Sequence, residues 1–228
     1  MRTRLIIFDC DGTLVDSQLM IVAAMERAFA EQDLAAPPRT TILGVVGLSL
    51  PEAIWRLAGD LDEPSILRIS EGYKTAFGEL RRSEHHKDPL YEGARDAVLR
   101  LAAEPECLLG IATGKSRRGV DHILAREALV PHFATIQTAD DAPSKPHPGM
   151  IEQAMEEVGA VPEDTIMIGD TSFDMTMARY AGVLGLGVAW GYHPVEELRD
   201  AGAGHVCDDF AELLAQIAGR WLLDRAAE

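Results

Sequence analysis

The sequence predicts an α/β protein: a Rossmann-like, mostly parallel sheet core with an inserted small α-helical cap domain. Along most of the chain, short apolar runs alternate with longer amphipathic stretches, which is typical of a parallel sheet covered by helices on both faces. Residues 17–87 break this alternation, because they have helical periodicity and no clear strand. We therefore expect a core formed by residues 1–16 and 88–228, and a cap formed by residues 17–87.

Each predicted element rests on its own local pattern. The apolar runs predict strands at 5–8, 108–112, 135–138, 165–168, 184–188 and, more weakly, 205–207. The amphipathic stretches predict core helices at about 93–103, 117–127, 148–158, 173–181, 195–201 and 209–219. Within the cap, Pro51 and Pro64 suit the first turn of a helix. Two crossings, near 15–18 and 87–92, would join cap to core and could act as a hinge.

The composition of the chain disfavours several classes of binding partner. The chain has 228 residues with 21 Lys and Arg against 37 Asp and Glu, a formal net charge of −16, which disfavours nucleic acid and anionic membranes. It also lacks an apolar run of the ~18 residues that a membrane span needs. Cys10, Cys107 and Cys207 are too few and too far apart for a disulfide framework or a zinc site, so we expect a cytoplasmic protein. An anionic substrate would need cations supplied locally by its site.

The most informative feature is a pair of acids, Asp9 and Asp11, directly after the first apolar run. In open α/β sheets, ligands bind beyond the carboxyl ends of the strands. Two carboxylates there are crowded unless a cation joins them. Gly12 gives the turn conformational freedom and could help to form an anion-binding nest of N–H groups. A carboxylate in this place could attack phosphorus, and Mg²⁺ would remove the repulsion between two anions.

Three later strand ends carry side chains that could take part in the same phosphoryl chemistry as Asp9 and Asp11. The strand before Asp170 and Asp174 ends at glycine and acid, which would place two more carboxylates at the same edge. Thr113 and the Gly114 N–H form a natural phosphate grip, but the glycine spacing is one residue too short for a Walker loop, so we exclude an ATPase. Lys145 is followed by Pro146, which restrains its backbone, and its ammonium group could offset phosphate and carboxylate charge.

These motifs, in this order, resemble the haloacid-dehalogenase-like hydrolase superfamily. The residues that carry the resemblance are Asp-x-Asp-Gly-Thr at 9–13, Thr113, Lys145 and Gly-Asp-x-x-x-Asp at 169–174. The resemblance covers nearly the whole chain, because the helical insert lies at the position where one subgroup of this superfamily carries its cap domain. The segments 15–17, 112–115 and 145–148 are most similar to the phosphoglycolate-phosphatase-like branch. Dehalogenases lack the second acid, so the presence of Asp11 favours phosphoryl chemistry.

The resemblance implies a role for each residue. Asp9 would be the nucleophile that forms an aspartyl-phosphate, and Asp11 the general acid and base. Mg²⁺ would be held by Asp9, the Asp11 backbone carbonyl and Asp170. Asp174 would orient metal-bound water or Lys145 from the second shell. Phosphoryl oxygens would be bound by Thr113, Lys145, Gly12 and Gly114.

The cap would contribute the substrate-facing residues Gly47, Leu48 and Ser49, which lie in a glycine-containing loop. The leading hypothesis is a Mg²⁺-dependent phosphatase that hydrolyses a small phosphate monoester, resembling phosphoglycolate or a sugar phosphate, as a monomer or homodimer. Two alternatives remain open. One is a sugar-phosphate mutase, and the other is a non-catalytic module that binds phosphate or Mg²⁺.

Overall fold

The computed structural model describes residues 3–82 and 88–227, and it confirms the predicted fold class. One parallel sheet has the strand order β3-β2-β1-β4-β5-β6, with helices on both faces. The strands are β1 Arg4–Phe8, β2 Cys107–Thr113, β3 Phe133–Thr138, β4 Thr165–Gly169, β5 Leu184–Val188 and β6 His205–Cys207. Each of these matches a predicted strand to within two residues at either end. The order places β1 between β2 and β4, so the ends of these three strands are neighbours.

The α-helices follow the predicted pattern with one clear difference. Residues 17–82 contain four of them: α1 Gln18–Ala30, α2 Arg39–Leu43, α3 Leu50–Ala58 and α4 Glu63–Arg82. The others are α5 Ala94–Ala102, α6 Arg117–Arg126, α7 Gly149–Val158, α8 Ser172–Tyr180, α9 Val195–Ala201 and α10 Phe210–Ala227. The expected end of the last helix at residue 219 is wrong. The helix continues through Gly219 because good helix formers and no proline follow it.

The sheet is buried on both faces, and successive residues of β1 divide between two apolar layers. Ile6 and Phe8 pack in one cluster, which also contains residues of α5, α6 and α10. Leu5 and Ile7 pack in the other, against residues of α7 and α8. This alternation follows from the two-residue period of a strand. The turn that follows β1 therefore begins at a strand that is buried on both faces, as is usual in a parallel sheet.

The inserted helices have an apolar cluster of their own, formed mainly by α1, α3 and α4. Pro51 and Pro64 both lie in the first turn of a helix, as predicted. The two crossings are hydrogen-bonded to each other: the amide of Asp16 donates to Pro89 O (2.8 Å), and the amide of Tyr91 donates to Leu14 O (3.0 Å). The division into a cap and a core domain remains a prediction, and Lys87, at its second boundary, lies outside the described residues.

Two expectations about the chain as a whole can be compared with the structure. No helix among the described residues is long and apolar enough to cross a bilayer. Cys10, Cys107 and Cys207 are buried as free thiols. Burial raises the pKa of the Cys107 thiol to about 12, which removes it as a ready nucleophile.

The separate apolar cluster of the inserted helices leads to a stability prediction. Replacing the fully buried Ile69 of α4 by alanine should lower the free energy of unfolding by about 2–5 kcal/mol, because it removes apolar contacts and leaves a cavity. The control is Leu67→Ala on the same helix, where the side chain is 52% exposed and the cost should be below about 0.5 kcal/mol. Urea denaturation measures both. Equal losses in the two variants would contradict a packed core in the inserted helices.

Candidate active site

The predicted site residues converge at the carboxyl edge of the sheet because their strands are neighbours. Asp9 follows β1, Thr113 ends β2, and Asp170 follows β4. Lys145 comes from the loop between β3 and α7. All four residues are 0–1% exposed, so these polar groups lie in an environment where charge interactions are strong.

The Asp9 carboxylate is contacted from two sides. Its Oδ1 atom accepts a hydrogen bond of 2.6 Å from the amide of Cys10, and its Oδ2 atom lies 2.9 Å from the Lys145 Nζ atom. The second contact is an ion pair without hydrogen-bond alignment, and Oδ2 has no hydrogen-bond partner among the described residues. Burial raises the pKa of Asp9 to about 7, although the charge of Lys145 acts in the opposite direction. A further cation near Oδ2 would favour the charged carboxylate.

Lys145 bridges two carboxylates. Its Nζ atom donates a hydrogen bond of 2.6 Å to Asp174 Oδ1 and also pairs with Asp9. Burial alone would lower the pKa of Lys145, but the charges of Asp174 and Asp9 outweigh burial and raise it. Lys145 is therefore a permanent cation of the site. This agrees with the expectation from sequence that the site carries its own positive charge.

Asp174 is positioned by the first turn of α8. Thr171 is the N-cap residue, and its hydroxyl and Asp174 form a capping box in which each side chain binds the backbone amide of the other. The Thr171 hydroxyl also donates to Asp174 Oδ2, at 2.7 Å. With Oδ1 bound to Lys145, both oxygens of Asp174 have partners. Asp174 therefore offers Lys145 a fixed hydrogen-bond acceptor, and its role in orienting metal-bound water or Lys145 stays a prediction.

Asp170 is held by contacts from two loops. Its Oδ1 atom accepts a hydrogen bond from the Thr13 hydroxyl (2.8 Å), and its Oδ2 atom accepts one from the amide of Tyr192 (2.9 Å). A Cβ atom at Gly12 would lie 2.2 Å from Asp170 Oδ2, and one at Gly191 would lie 2.1 Å from Asp170 Cβ. Only glycine fits at either position. Burial raises the pKa of Asp170 well above its usual range, and the charges of Asp9 and Asp174 raise it further.

The structure changes the interpretation of Gly12. Its N–H group donates to Val15 O at 2.9 Å, so it is already satisfied within the turn and is not free to bind an anion. Gly12 has a φ of +87°, which requires the left-handed conformation that glycine adopts readily. Its contribution is to let the Asp170 carboxylate approach the β1 turn.

Asp9, Asp170 and Asp174 form a group of carboxylates that could hold a hard divalent cation. One carboxylate oxygen from each lies within 4.8 Å of the others, and all three residues are buried. Buried carboxylates this close repel one another, which the raised pKa values of Asp9 and Asp170 express. Oxygen ligands are those that Mg²⁺ prefers. The Asp11 carboxylate does not belong to this group among the described residues, and the prediction that Asp11 offers its backbone carbonyl to a metal stays a prediction.

The Asp11 side chain is directed to a different set of partners. Lys115 Nζ lies 2.7 Å from Asp11 Oδ1 and 3.0 Å from Oδ2, and the Ser17 hydroxyl donates to Oδ1. Both members of the Asp11–Lys115 pair are nearly buried. Sequence analysis did not assign a role to Lys115 or Ser17. The two aspartates, one residue apart, therefore have separate cationic partners.

The predicted cap loop lies against the core loops of the site. A Cβ atom at Gly114 would lie 2.4 Å from Leu48 O, and one at Gly47 would lie 3.2 Å from the Thr171 hydroxyl. The amide of Ser49 donates to the Ser144 hydroxyl at 2.8 Å. These contacts hold the predicted loop against the loops that follow β2, β3 and β4. Whether Gly47, Leu48 and Ser49 bind substrate stays a prediction.

The loop after β5 contacts the site although no residue in it was predicted to do so. The Trp190 indole donates to Thr13 O (3.0 Å), and the Tyr192 hydroxyl accepts a hydrogen bond from the amide of Ser17 (3.3 Å). This loop therefore supports the turn after β1 as well as Asp170. Two features of the sequence could have indicated this loop. It follows the strand next to β4, and it has a glycine between two aromatic residues, Trp190 and Tyr192.

Comparisons with known proteins give a consistent result. The family model for haloacid dehalogenase-like hydrolases matches residues 6–188. A probable phosphatase IndB of Dickeya dadantii is 31% identical over 92% of this chain and 91% of its own length. A pyrophosphatase PpaX of Oceanobacillus iheyensis is 30% identical over 94% of this chain and 96% of its own length. A phosphoglycolate phosphatase of Haemophilus influenzae is 27% identical over 93% of this chain and 97% of its own length.

A solved structure agrees with the sequence relatives. A predicted phosphatase from Clostridium acetobutylicum superposes with a TM-score of 0.85 at 25% identity, covering 96% of this chain and all of that one. The family match spans the β1 turn, Lys145 and the acidic loop after β4. The chain belongs to the haloacid dehalogenase-like hydrolase family, and within it resembles the phosphoglycolate-phosphatase-like branch.

Proposed function

We propose that this protein is a Mg²⁺-dependent phosphatase that hydrolyses a small phosphate monoester through an aspartyl-phosphate on Asp9. The observation that supports it most strongly is the separation of the two neighbouring aspartates. Asp9 lies in the acidic group with Lys145, whereas Asp11 pairs with Lys115 outside that group. A nucleophile and a proton carrier act on different atoms of the substrate, and the two carboxylates have separate partners, Lys145 for Asp9 and Lys115 for Asp11.

In the first step, a carboxylate oxygen of Asp9 bonds to phosphorus while the bond to the leaving oxygen breaks. Asp11 gives its proton to that oxygen, so an alcohol departs. In the second step, Asp11 takes a proton from water as the water oxygen bonds to phosphorus. The bond between phosphorus and Asp9 then breaks, which yields inorganic phosphate and the original carboxylate.

The other residues bind and orient the phosphoryl group. Lys145 and the Thr113 hydroxyl would hold its oxygens, with the Gly114 amide at the same strand end. Asp9, Asp170 and the Asp11 carbonyl would hold Mg²⁺. When bound, this ion neutralises charge on both the carboxylate and the phosphoryl group. The cap loop excludes water from this buried site, and the paired linkers supply the hinge for substrate entry.

The broader assignments belong to the same proposal. The substrate is a small molecule, and the enzyme acts in the cytoplasm as a monomer or homodimer without nucleic acid or membrane. A sugar-phosphate mutase would use the same first step but would transfer the phosphoryl group to a sugar hydroxyl. A binding module would use neither step.

The role of Asp9 predicts the outcome of a conservative substitution. In a panel of small phosphate esters read out as released phosphate, Asp9→Asn should lower kcat by at least about 1,000-fold, because an amide is a poor nucleophile. Asp200→Asn, at an exposed position on α9, is the control and should keep wild-type turnover. Near wild-type phosphate release by folded Asp9→Asn would remove Asp9 as nucleophile. Phosphoryl transfer between sugar positions without phosphate release would indicate the mutase instead.

The acidic group predicts a metal response that can be measured without turnover. Mg²⁺ added to chelator-treated protein should raise the melting temperature, since an ion that binds only the folded state stabilises it. At 100 times the dissociation constant this amounts to about 2.7 kcal/mol, or roughly 5–10 °C for a chain of this size. Asp170→Asn should lose most of the shift, and Asp200→Asn should retain it. An equal Mg²⁺ shift in wild type and Asp170→Asn would contradict the assigned ligands.

A further inference from the structure

Tyr192, in the loop after β5, lies between two residues that the proposed mechanism uses. Its amide donates a hydrogen bond of 2.9 Å to Asp170 Oδ2, and its hydroxyl accepts one of 3.3 Å from the amide of Ser17. The Ser17 hydroxyl in turn donates to Asp11 Oδ1. Tyr192 therefore connects the proposed metal ligand Asp170 to the proposed acid and base Asp11, with Ser17 as the one residue between them.

Ser17 is the N-cap residue of α1, but its side chain does not cap the helix. A serine at this position usually accepts a hydrogen bond from an amide of the first turn. The Ser17 hydroxyl accepts no such bond from the described residues of α1, and it donates to Asp11 instead. Ser17 is fully buried, so bulk water does not compete for this hydroxyl. The side chain is therefore used to hold Asp11 and not to start α1.

Tyr192 is itself held by the core and by the inserted helices. On one side, a Cβ atom at Gly191 would lie 2.1 Å from Asp170 Cβ, and on the other, the amide of His193 donates to Asp170 O at 3.3 Å. The Tyr192 side chain packs against the apolar cluster of the inserted helices. Its backbone is thus fixed at the end of β4, and its ring is fixed beside Ser17.

Tyr192 does not act as a proton carrier in its own right. Burial raises the pKa of its hydroxyl, and the charges of Asp11 and Asp170 raise that pKa further. The hydroxyl therefore stays a neutral phenol at neutral pH, and its oxygen remains able to accept the Ser17 N–H. Its contribution to the reaction is one of geometry.

We propose that Tyr192 is a positioning residue for the proton-transfer steps. It fixes Ser17, and the Ser17 hydroxyl fixes the orientation in which the Asp11 carboxylate reaches the leaving oxygen. Lys115 also pairs with Asp11, but an ammonium on a long flexible stem sets the direction of a carboxylate less strictly than a hydroxyl on a short side chain does. This inference rests on the proposed phosphatase activity and adds Tyr192 and Ser17 to its residues.

The dependence of the rate on the leaving group tests the inference. Nitrophenolate departs without a proton, whereas the oxygen of an aliphatic ester needs one from Asp11. For the aliphatic ester that the panel shows to be hydrolysed fastest, Tyr192→Phe should lower kcat/KM by about 3- to 10-fold, the usual effect of one neutral hydrogen bond. Ser17→Ala should lower it by about 10- to 100-fold, because its hydroxyl binds a carboxylate. For p-nitrophenyl phosphate, kcat/KM should change by less than about twofold in both variants.

A second measurement separates the positioning of Asp11 from a general structural effect. If Tyr192 acts through Asp11, adding Tyr192→Phe to Asp11→Asn should leave the slow residual turnover of p-nitrophenyl phosphate unchanged within about twofold. The rise in melting temperature caused by Mg²⁺ should also persist in Tyr192→Phe, because phenylalanine retains the amide that binds Asp170.

Tyr180→Phe is the control, because it removes the hydroxyl of an exposed tyrosine on α8. It should keep the wild-type rates with both esters. The inference is overturned if folded Tyr192→Phe keeps the wild-type rate with the aliphatic ester, if it slows both esters equally, or if it slows Asp11→Asn as much as it slows wild type. Failure of the proposed function is distinguishable, because no Asp9-dependent phosphate would then be released from any ester, including p-nitrophenyl phosphate.

Discussion

The structure depends on one electrostatic constraint, which is that several carboxylates share a dry edge of the sheet. Asp9, Asp170 and Asp174 lie together there, and Lys145 supplies the positive charge for two of them. Without Lys145 or a bound cation, these carboxylates could not all be charged at neutral pH. Most other features of the site follow from this, including the capping box that fixes Asp174 and the glycines that give Asp170 room.

The inserted helices lie against the core at this edge of the sheet. The loop of Gly47, Leu48 and Ser49 contacts the core at Thr171, Gly114 and Ser144. Phe77 and Arg81 of α4 lie on the Lys115 side. The chain therefore combines a formal net charge of −16 with two lysines, Lys145 and Lys115, that pair with the carboxylates of the site.

Much of this could be predicted from sequence, because strand ends in a parallel sheet are marked by an abrupt change from apolar to polar residues. The six strands and the positions of Asp9, Thr113, Lys145 and Asp170 followed from that rule. Contacts between distant segments could not be predicted. Neither the pairing of Lys115 with Asp11 nor the Phe77 contact has a local pattern, since each depends on how the inserted helices dock. Gly12 was misjudged because its amide is used inside the turn.

The central claim is that Asp9 and Asp11 have different chemical roles. It is tested most directly by rapid mixing of Asp11→Asn with p-nitrophenyl phosphate, whose leaving group departs without a proton. We expect a burst of about one nitrophenolate per enzyme, then slow turnover, because Asp9 is still phosphorylated but water is no longer activated. Mass spectrometry of the quenched protein should locate the phosphoryl group on Asp9. Slow nitrophenolate release without a burst, and no phosphorylated Asp9, would contradict the division of roles.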